Sequence, residues 1–165
     1  MGVNGMANGK AKILMVDSSF RESLGAEKNL IDFLTDFLRK YEVELTLVFC
    51  DNYNTGIVQV TVLDYDLVIV EPNYMIGDFG ELVTAPRPKE IGMIFLKAIK
   101  SRKPELPVVV FTTQATPEIT ECCCQNNYAI VGKPVPLEKL GQVVAEKLGL
   151  RRSDEVILEE LIIRR

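Results

Sequence analysis

Short apolar runs with the character of buried strands alternate with helix-like stretches along most of this chain. The runs are KILMVD at 12–17, VELTLVFC at 43–50, DLVIV at 66–70, PVVVFT at 107–112 and YAIV at 128–131. Such alternation is typical of a parallel sheet covered by helices. It predicts an α/β fold built from five strand–helix units.

Apolar spacing predicts most of the helices. The first would bury the i, i+3, i+4, i+7 stripe of Leu30, Ile31, Leu34, Phe37, Leu38 and Tyr41. A third helix over about 89–102 would bury Ile91, Ile94, Phe95, Ala98 and Ile99. A short helix is expected after Thr116, its cap, and Pro117. A last helix from about Pro136 would bury Leu137, Leu140, Val144 and Leu148.

The stretch NTGIVQVTVL at 54–63 is ambiguous. Its β-branched residues favour a strand, whereas its place in the alternation calls for a helix. We predict a helix here. The connection at 72–90 is far longer than the usual 2–6 residues, which is typical of a functional or a disordered loop.

The 165 residues are enough for one well-packed domain. We assign residues 11–150 to it, with a disordered tail at 1–10 and an amphipathic tail at 151–165. The second tail carries Val156, Ile157, Leu158, Leu161, Ile162 and Ile163. A lone helix of this length is marginal in water, so we expect it to dock, either on its own domain or on a partner chain, as in a homodimer.

Composition excludes several functional classes. A net charge of −4 argues against a nucleic-acid partner. The absence of histidine removes the commonest general base and metal ligand. No apolar run approaches the roughly 20 residues of a membrane span, and the start lacks a signal core, so we expect a cytoplasmic protein without a membrane partner.

The four cysteines are Cys50 and the consecutive Cys122, Cys123 and Cys124. No C-x-x-C pair occurs. We interpret them as reduced thiols that pack as small apolar residues; a redox or metal role for the run is the alternative.

Polar side chains follow four of the predicted strands. Asp17 ends the first, Glu71 the third, Thr112 the fourth, and Lys133 comes shortly after the fifth. In open parallel sheets the ligand site lies beyond the carboxyl ends of the strands. These side chains are therefore expected to converge on one edge of the sheet.

With these residues the chain resembles the receiver domains of two-component response regulators over about residues 11–150. The resemblance is carried by VDSS (16–19), LVIVEPNYM (67–75), IGMIFLKAIK (91–100), LPVVVFTT (106–113) and GKPVPLEKL (132–140). It implies a flavodoxin-like, doubly wound, five-stranded parallel sheet of order 2-1-3-4-5. It also implies an Mg²⁺-binding acid pair after the first strand and a phosphoacceptor aspartate after the third. A hydroxyl and a lysine would hold the phosphoryl oxygens, and the peptide before Pro134 would be cis.

The match to that pattern is incomplete. Asp17, Thr112 and Lys133 fit, but Ser18 replaces the second acid and Glu71 replaces the phosphoacceptor aspartate. Ile130 fills the position of the family's aromatic switch residue; Tyr128 lies two residues too early to serve.

These departures predict a degenerate phosphoacceptor pocket. Glutamate extends the carboxylate by about 1.5 Å, and a misplacement of about 1 Å can cost about a hundredfold in rate. Losing an acid at Ser18 weakens an Mg²⁺ site, so we expect no metal or cofactor, with Asp17 the ligand if a metal binds at all. We expect Glu71 to reach toward Lys133 and imitate the phosphorylated state. The alternatives are structural: Glu71 as a solvated relic, Asp17 as a helix cap, Thr112 as a partner for backbone groups, and Lys133 as neutralising charge.

Two functions stay open. The first is an atypical receiver, or pseudo-receiver, that has no catalysis of its own and signals by binding a protein through residues 117–148 or the C-terminal tail. The alternative is a phosphoaccepting receiver with an altered Mg²⁺ site, in which Asp78 or Glu81 joins Asp17. A structural role as a dimer driven by the C-terminal tail ranks third. A metabolic enzyme ranks fourth, because no Gly-rich phosphate loop follows the first strand to bind a nucleotide or flavin.

Overall fold

Five parallel strands form one sheet in the computed structural model, which describes residues 9–19, 25–78 and 86–151. The strands are β1 (Lys10–Val16), β2 (Glu44–Cys50), β3 (Leu67–Val70), β4 (Val108–Thr112) and β5 (Ala129–Gly132). Their order is β2-β1-β3-β4-β5. The predicted doubly wound, flavodoxin-like sheet is therefore confirmed.

Within the described residues, five helices connect and follow the strands. They are α1 (Ala26–Arg39), α2 (Tyr53–Val62), α3 (Pro88–Arg102), α4 (Pro117–Asn126) and α5 (Leu137–Lys147). The ambiguous stretch at 54–63 is largely the helix α2, whose first turn is capped by Asn52 through a bond from the Thr55 amide. Thr116 caps α4 in the same way, as predicted.

Each face of the sheet carries its own apolar core. One core packs the sheet against α2, α3 and α4 and contains Val16, Val70, Phe95, Ile119 and Cys122, among others. The second packs the sheet against α1 and α5, with Ile13, Leu34 and Leu140 at its centre. Strands β3 and β4 are buried along their whole length because helices cover both faces.

The predicted buried face of α3 is partly wrong. Ile94 is 41% exposed, whereas Gly92 and Leu96 are buried. The helix is rotated toward Gly92 because its start lies against Pro72: a Cβ at Gly92 would be 2.0 Å from the Pro72 carbonyl oxygen. A prediction based on apolar side chains overlooks Gly92, which is buried against Pro72 because it has no side chain.

Some sequence predictions lie outside the described residues. These are most of the N-terminal tail (1–8), nearly all of the C-terminal tail (152–165), and residues 79–85 of the long connection. Among the residues that are described, no helix has the length and apolar character needed to cross a membrane.

Candidate functional site

The carboxyl ends of four strands bring the predicted site residues together. Backbone bonds extend the sheet one step past the strands: the amide of Asp17 donates to Cys50, that of Glu71 to Val16, and that of Lys133 to Thr112. Because the strands are parallel and in register, these residues leave the sheet at one edge.

The carboxylate of Glu71 is saturated with donors. Its Oε1 accepts from the Thr112 hydroxyl at 2.6 Å and from the Asn73 amide at 3.1 Å. Its Oε2 accepts from the Thr113 amide at 2.9 Å. The residue is 1% exposed, and a buried carboxylate is stable only when it is paired in this way. Glu71 is thus built into the pocket and is not a solvated relic.

Lys133 lies between the two acids and closer to Asp17. Its Nζ is 2.8 Å from Oδ2 of Asp17 and 3.5 Å from Oε2 of Glu71. The ammonium also lies 4.6 Å from the centre of the Phe111 ring, a cation–π contact. Glu71 does reach toward Lys133, as expected, but its shorter bonds are to the end of β4. The Lys133–Pro134 peptide is cis.

Asp17 organises the turn that follows β1. Its Oδ1 accepts from the amide of Ser19 at 2.9 Å and from the Ser19 hydroxyl at 2.5 Å. The helix α1 begins only at Ala26. The amide that Asp17 caps, that of Ser19, therefore belongs to the turn before α1 and not to the helix itself.

Ser18 anchors the long connection after β3. Its hydroxyl oxygen accepts from the Ile76 amide at 3.0 Å, and the Ile76 carbonyl accepts from the Tyr53 amide at 2.7 Å. Asn54 and Asp78 exchange two further bonds, from Asn54 Nδ2 to the Asp78 carbonyl at 2.8 Å and from the Asp78 amide to Asn54 Oδ1 at 2.6 Å. Residues 76–78 are thereby fixed to the start of α2.

Sequence reasoning missed two partners of the pocket. Asn73 donates from Nδ2 to the Thr112 hydroxyl and to the Gln114 carbonyl, each at 2.7 Å. The position of Asn73, two residues after Glu71 in the sequence, could have indicated that it belongs to the pocket. The Thr113 amide has no such signal, because a backbone N–H is present whatever the side chain.

The donor set does not suit Mg²⁺ as it is arranged. That ion requires near-octahedral oxygen ligands and keeps several waters, whereas all four carboxylate oxygens of Asp17 and Glu71 already face protein donors. The described residues contain no cluster of three or more metal-ligating side chains. Of the two acids proposed to help, Asp78 bonds to Asn54 through its backbone, and Glu81 lies outside the described residues.

The switch position is filled by an aliphatic side chain. Ile130 lies opposite Val110 on β4 and packs, half-buried, against the core under α2, α3 and α4. Tyr128, two residues earlier and therefore on the same side of the strand, is buried in that core. Burial raises the pKa of Tyr128 to about 12, with the neighbouring Cys122 and Cys123 as smaller causes.

The cysteine run lies on α4 with two thiols inside. Cys122 and Cys123 are buried and Cys124 is exposed. Burial raises the pKa of Cys123 to about 12 and raises that of Cys122 as well. Both buried thiols therefore stay protonated at neutral pH, which suits apolar packing better than redox chemistry.

Comparisons with known proteins match the fold. No family model matches the chain, and no curated protein matches it. Solved structures do. A receiver domain of a two-component histidine kinase from Clostridium thermocellum has a TM-score of 0.62 and 18% identity, over 84% of this chain and 97% of that one. A CheY-like receiver domain protein from Methanospirillum hungatei has a TM-score of 0.56 and 17% identity, over 84% of this chain and 94% of that one. Chemotaxis protein CheY4 of Vibrio cholerae has a TM-score of 0.53 and 18% identity, over 83% of this chain and 98% of that one. The chain therefore has the CheY-like, flavodoxin-like fold, and its structural neighbours are response regulator receiver domains.

Proposed function

We propose that this chain is an atypical receiver domain that signals through contact with a protein partner and takes no phosphoryl group at Glu71. The proposal combines the receiver fold of its structural neighbours with the hydrogen bonding of its pocket. The domain would act in the cytoplasm. It would catalyse no reaction of its own.

One observation carries the proposal: the Glu71 carboxylate accepts from both the Thr112 hydroxyl and the Thr113 amide. The resemblance to receivers implies that the hydroxyl after β4 and the lysine after β5 hold phosphoryl oxygens. Here the carboxylate itself takes up the hydroxyl and lies 3.5 Å from Lys133. An incoming phosphoryl group would have to break these buried bonds before Glu71 could attack it.

The arrangement at Ser18 supports the same conclusion. A second acid at this position would add negative charge beside Asp17 and favour a cation. The serine oxygen instead accepts from the Ile76 amide, and the positive charge beside Asp17 is supplied by Lys133 at 2.8 Å. We infer that Mg²⁺ binds weakly or not at all.

Glu71 in this arrangement imitates a phosphorylated aspartate. It places carboxylate oxygens where the Thr112 hydroxyl and the Lys133 ammonium can both contact them. The domain would then hold one signalling state permanently and present residues 117–148, which comprise α4, β5 and α5, to its partner.

Intact-mass measurement after incubation with acetyl phosphate and Mg²⁺ tests the proposal. We expect no phosphoryl adduct on the wild-type chain. The matched control is the double variant S18D/E71D, which restores both acids of the receiver pattern and should gain the mass of one phosphoryl group. A stoichiometric adduct on wild-type Glu71 would overturn the proposal and favour the phosphoaccepting alternative.

A further inference from the structure

The outer face of α2 is uncharged and exposes two valines. The sequence YNTGIVQVTV of this helix contains no charged residue. Gly56 and Val60 face the core, while Val58 and Val62, one turn apart on the outside, are 56% and 71% exposed. The polar but uncharged Asn54, Thr55 and Thr61 are exposed beside the two valines, so this face carries apolar area without any charge.

Further large apolar side chains are exposed just beyond both ends of α2. Leu63 is exposed where the helix ends, and Tyr74 and Ile76 are exposed on the segment that the Tyr53 amide fixes to the helix start. Five of the six large apolar side chains that are exposed among the described residues belong to this group. We call it the α2 surface: Val58, Val62, Leu63, Tyr74 and Ile76. Such a concentration of exposed apolar groups marks a contact site.

A cleft joins the α2 surface to the end of the described chain. Its volume is about 550 Å³, and Leu63 at the end of α2 and Leu148 and Gly149 just after α5 line it. The lining between them is largely charged, with Asp64, Asp66, Arg102, Lys103, Glu105 and Lys147. The described residues end at Arg151, two positions past Gly149. The segment that follows therefore starts beside a cleft whose far wall is the end of α2.

We propose that the C-terminal segment 152–165 of the same chain crosses this cleft and covers the α2 surface with its aliphatic residues. Extended, its fourteen residues span up to about 46 Å, whereas the ten residues of α2 measure only about 15 Å along the helix axis. Length is therefore no obstacle.

The composition of the segment matches the surface. Six of its residues are large and aliphatic, at 156–158 and 161–163, and the helix they would cover offers no charge to desolvate. Burying such side chains removes apolar area from water on both partners. The proposal does not depend on the state of Glu71, and it stands or falls separately from the proposed function.

Disulfide trapping in the full-length chain tests it. Cys124, the exposed native thiol, is first replaced in C124S, and the test pair is V62C with I162C. The control pair is E121C with I162C, because Glu121 is exposed on α4 and α3 separates α4 from α2. At low micromolar protein, we expect an intramolecular disulfide in the test pair to form at least about tenfold faster than in the control.

The other outcomes overturn the proposal. Equal rates in the two pairs, or no disulfide in either, would mean that the segment does not settle on α2. A disulfide-linked dimer in the test pair would identify a second copy of the chain as the occupant instead.

Hydroxyl-radical labelling provides a second measurement that does not alter α2. In the full-length variant L161D/I162D, labelling of the 53–63 peptide should rise several-fold over the wild type, because the charged segment would leave the apolar surface. Labelling of the 117–127 peptide on α4 serves as the internal control. Unchanged labelling at 53–63 contradicts the proposal.

Discussion

The hydroxyl of Thr112 donates a 2.6 Å hydrogen bond to Oε1 of Glu71, and both side chains are buried. This bond joins the ends of β3 and β4 across the position where a receiver would hold a phosphoryl group. A charge-assisted bond between buried groups is among the stronger hydrogen bonds in proteins, so this contact stabilises the fold as well as defining the pocket.

Removing the Thr112 hydroxyl should destabilise the domain. In Thr112→Val the shape is nearly kept while Oε1 of Glu71 loses its closest donor, and the expected cost is about 1.5–3 kcal/mol, as for hydrogen bonds to charged groups. Urea unfolding measures it. Thr113→Val is the matched control, because its backbone N–H still bonds to Glu71 and its hydroxyl makes only a 3.4 Å contact with Tyr74 at the surface. Equal losses in the two variants would show that the Thr112 bond has no special weight.

Ser18 is predicted to hold the connection after β3. In Ser18→Ala the Ile76 amide loses its acceptor, and we expect its hydrogen exchange to accelerate by about tenfold, the equivalent of a bond worth 1.4 kcal/mol. Ser19→Ala is the control, since that hydroxyl bonds to Asp17 and leaves Ile76 alone. If Ile76 exchanges at the wild-type rate in both variants, Ser18 does not tether the connection.

The buried hydroxyl of Tyr128 is predicted to lower the stability of the fold. Its Oη is buried and has no hydrogen-bond partner in the described part of the chain. An unsatisfied buried hydroxyl costs about 1–3 kcal/mol, so Tyr128→Phe should raise the free energy of unfolding at pH 7 by roughly 1 kcal/mol. A clear loss of stability would show that the hydroxyl has a partner after all.

The same residue predicts a loss of stability in alkali. The pKa of tyrosine is 10.0 when exposed and about 12 at Tyr128 in the folded chain. Between these values the unfolded state releases the proton and the folded state keeps it, so stability falls as pH rises from 10 toward 12, by at most about 1.4 kcal/mol per pH unit from this group. Cys123, raised from 9.0 to about 12, adds to the fall from pH 9 upward. Unfolding curves should show a shallower decline for Tyr128→Phe; an identical decline would contradict the assignment.

The sequence was sufficient to predict the sheet because its strands are short, apolar and separated by recognisable helices. It placed Asp17, Glu71, Thr112 and Lys133 together because parallel strands end at one edge. It did not predict that Glu71 would bond mainly to the end of β4, since one of its partners there is the amide of Thr113, and backbone donors leave no mark in residue type.

The rotation of α3 escaped prediction for a related reason. Apolar spacing placed Ile94 inside, but the close approach of Gly92 to Pro72 turned the helix and left Ile94 exposed. Similarly, Ser18 could be recognised as a missing acid, but its bond to Ile76 depends on the path of a connection that sequence patterns do not define.

The central claim is that Glu71 already occupies the donors that would otherwise hold a phosphoryl group. The most direct test is an NMR titration of the nitrogen-labelled chain with Mg²⁺ and beryllofluoride, a phosphoryl analogue, read at the amides of Thr113 and Lys133. We predict that neither resonance shifts in the wild type, while both shift in S18D/E71D. A saturable shift of the wild-type Thr113 amide would contradict the claim.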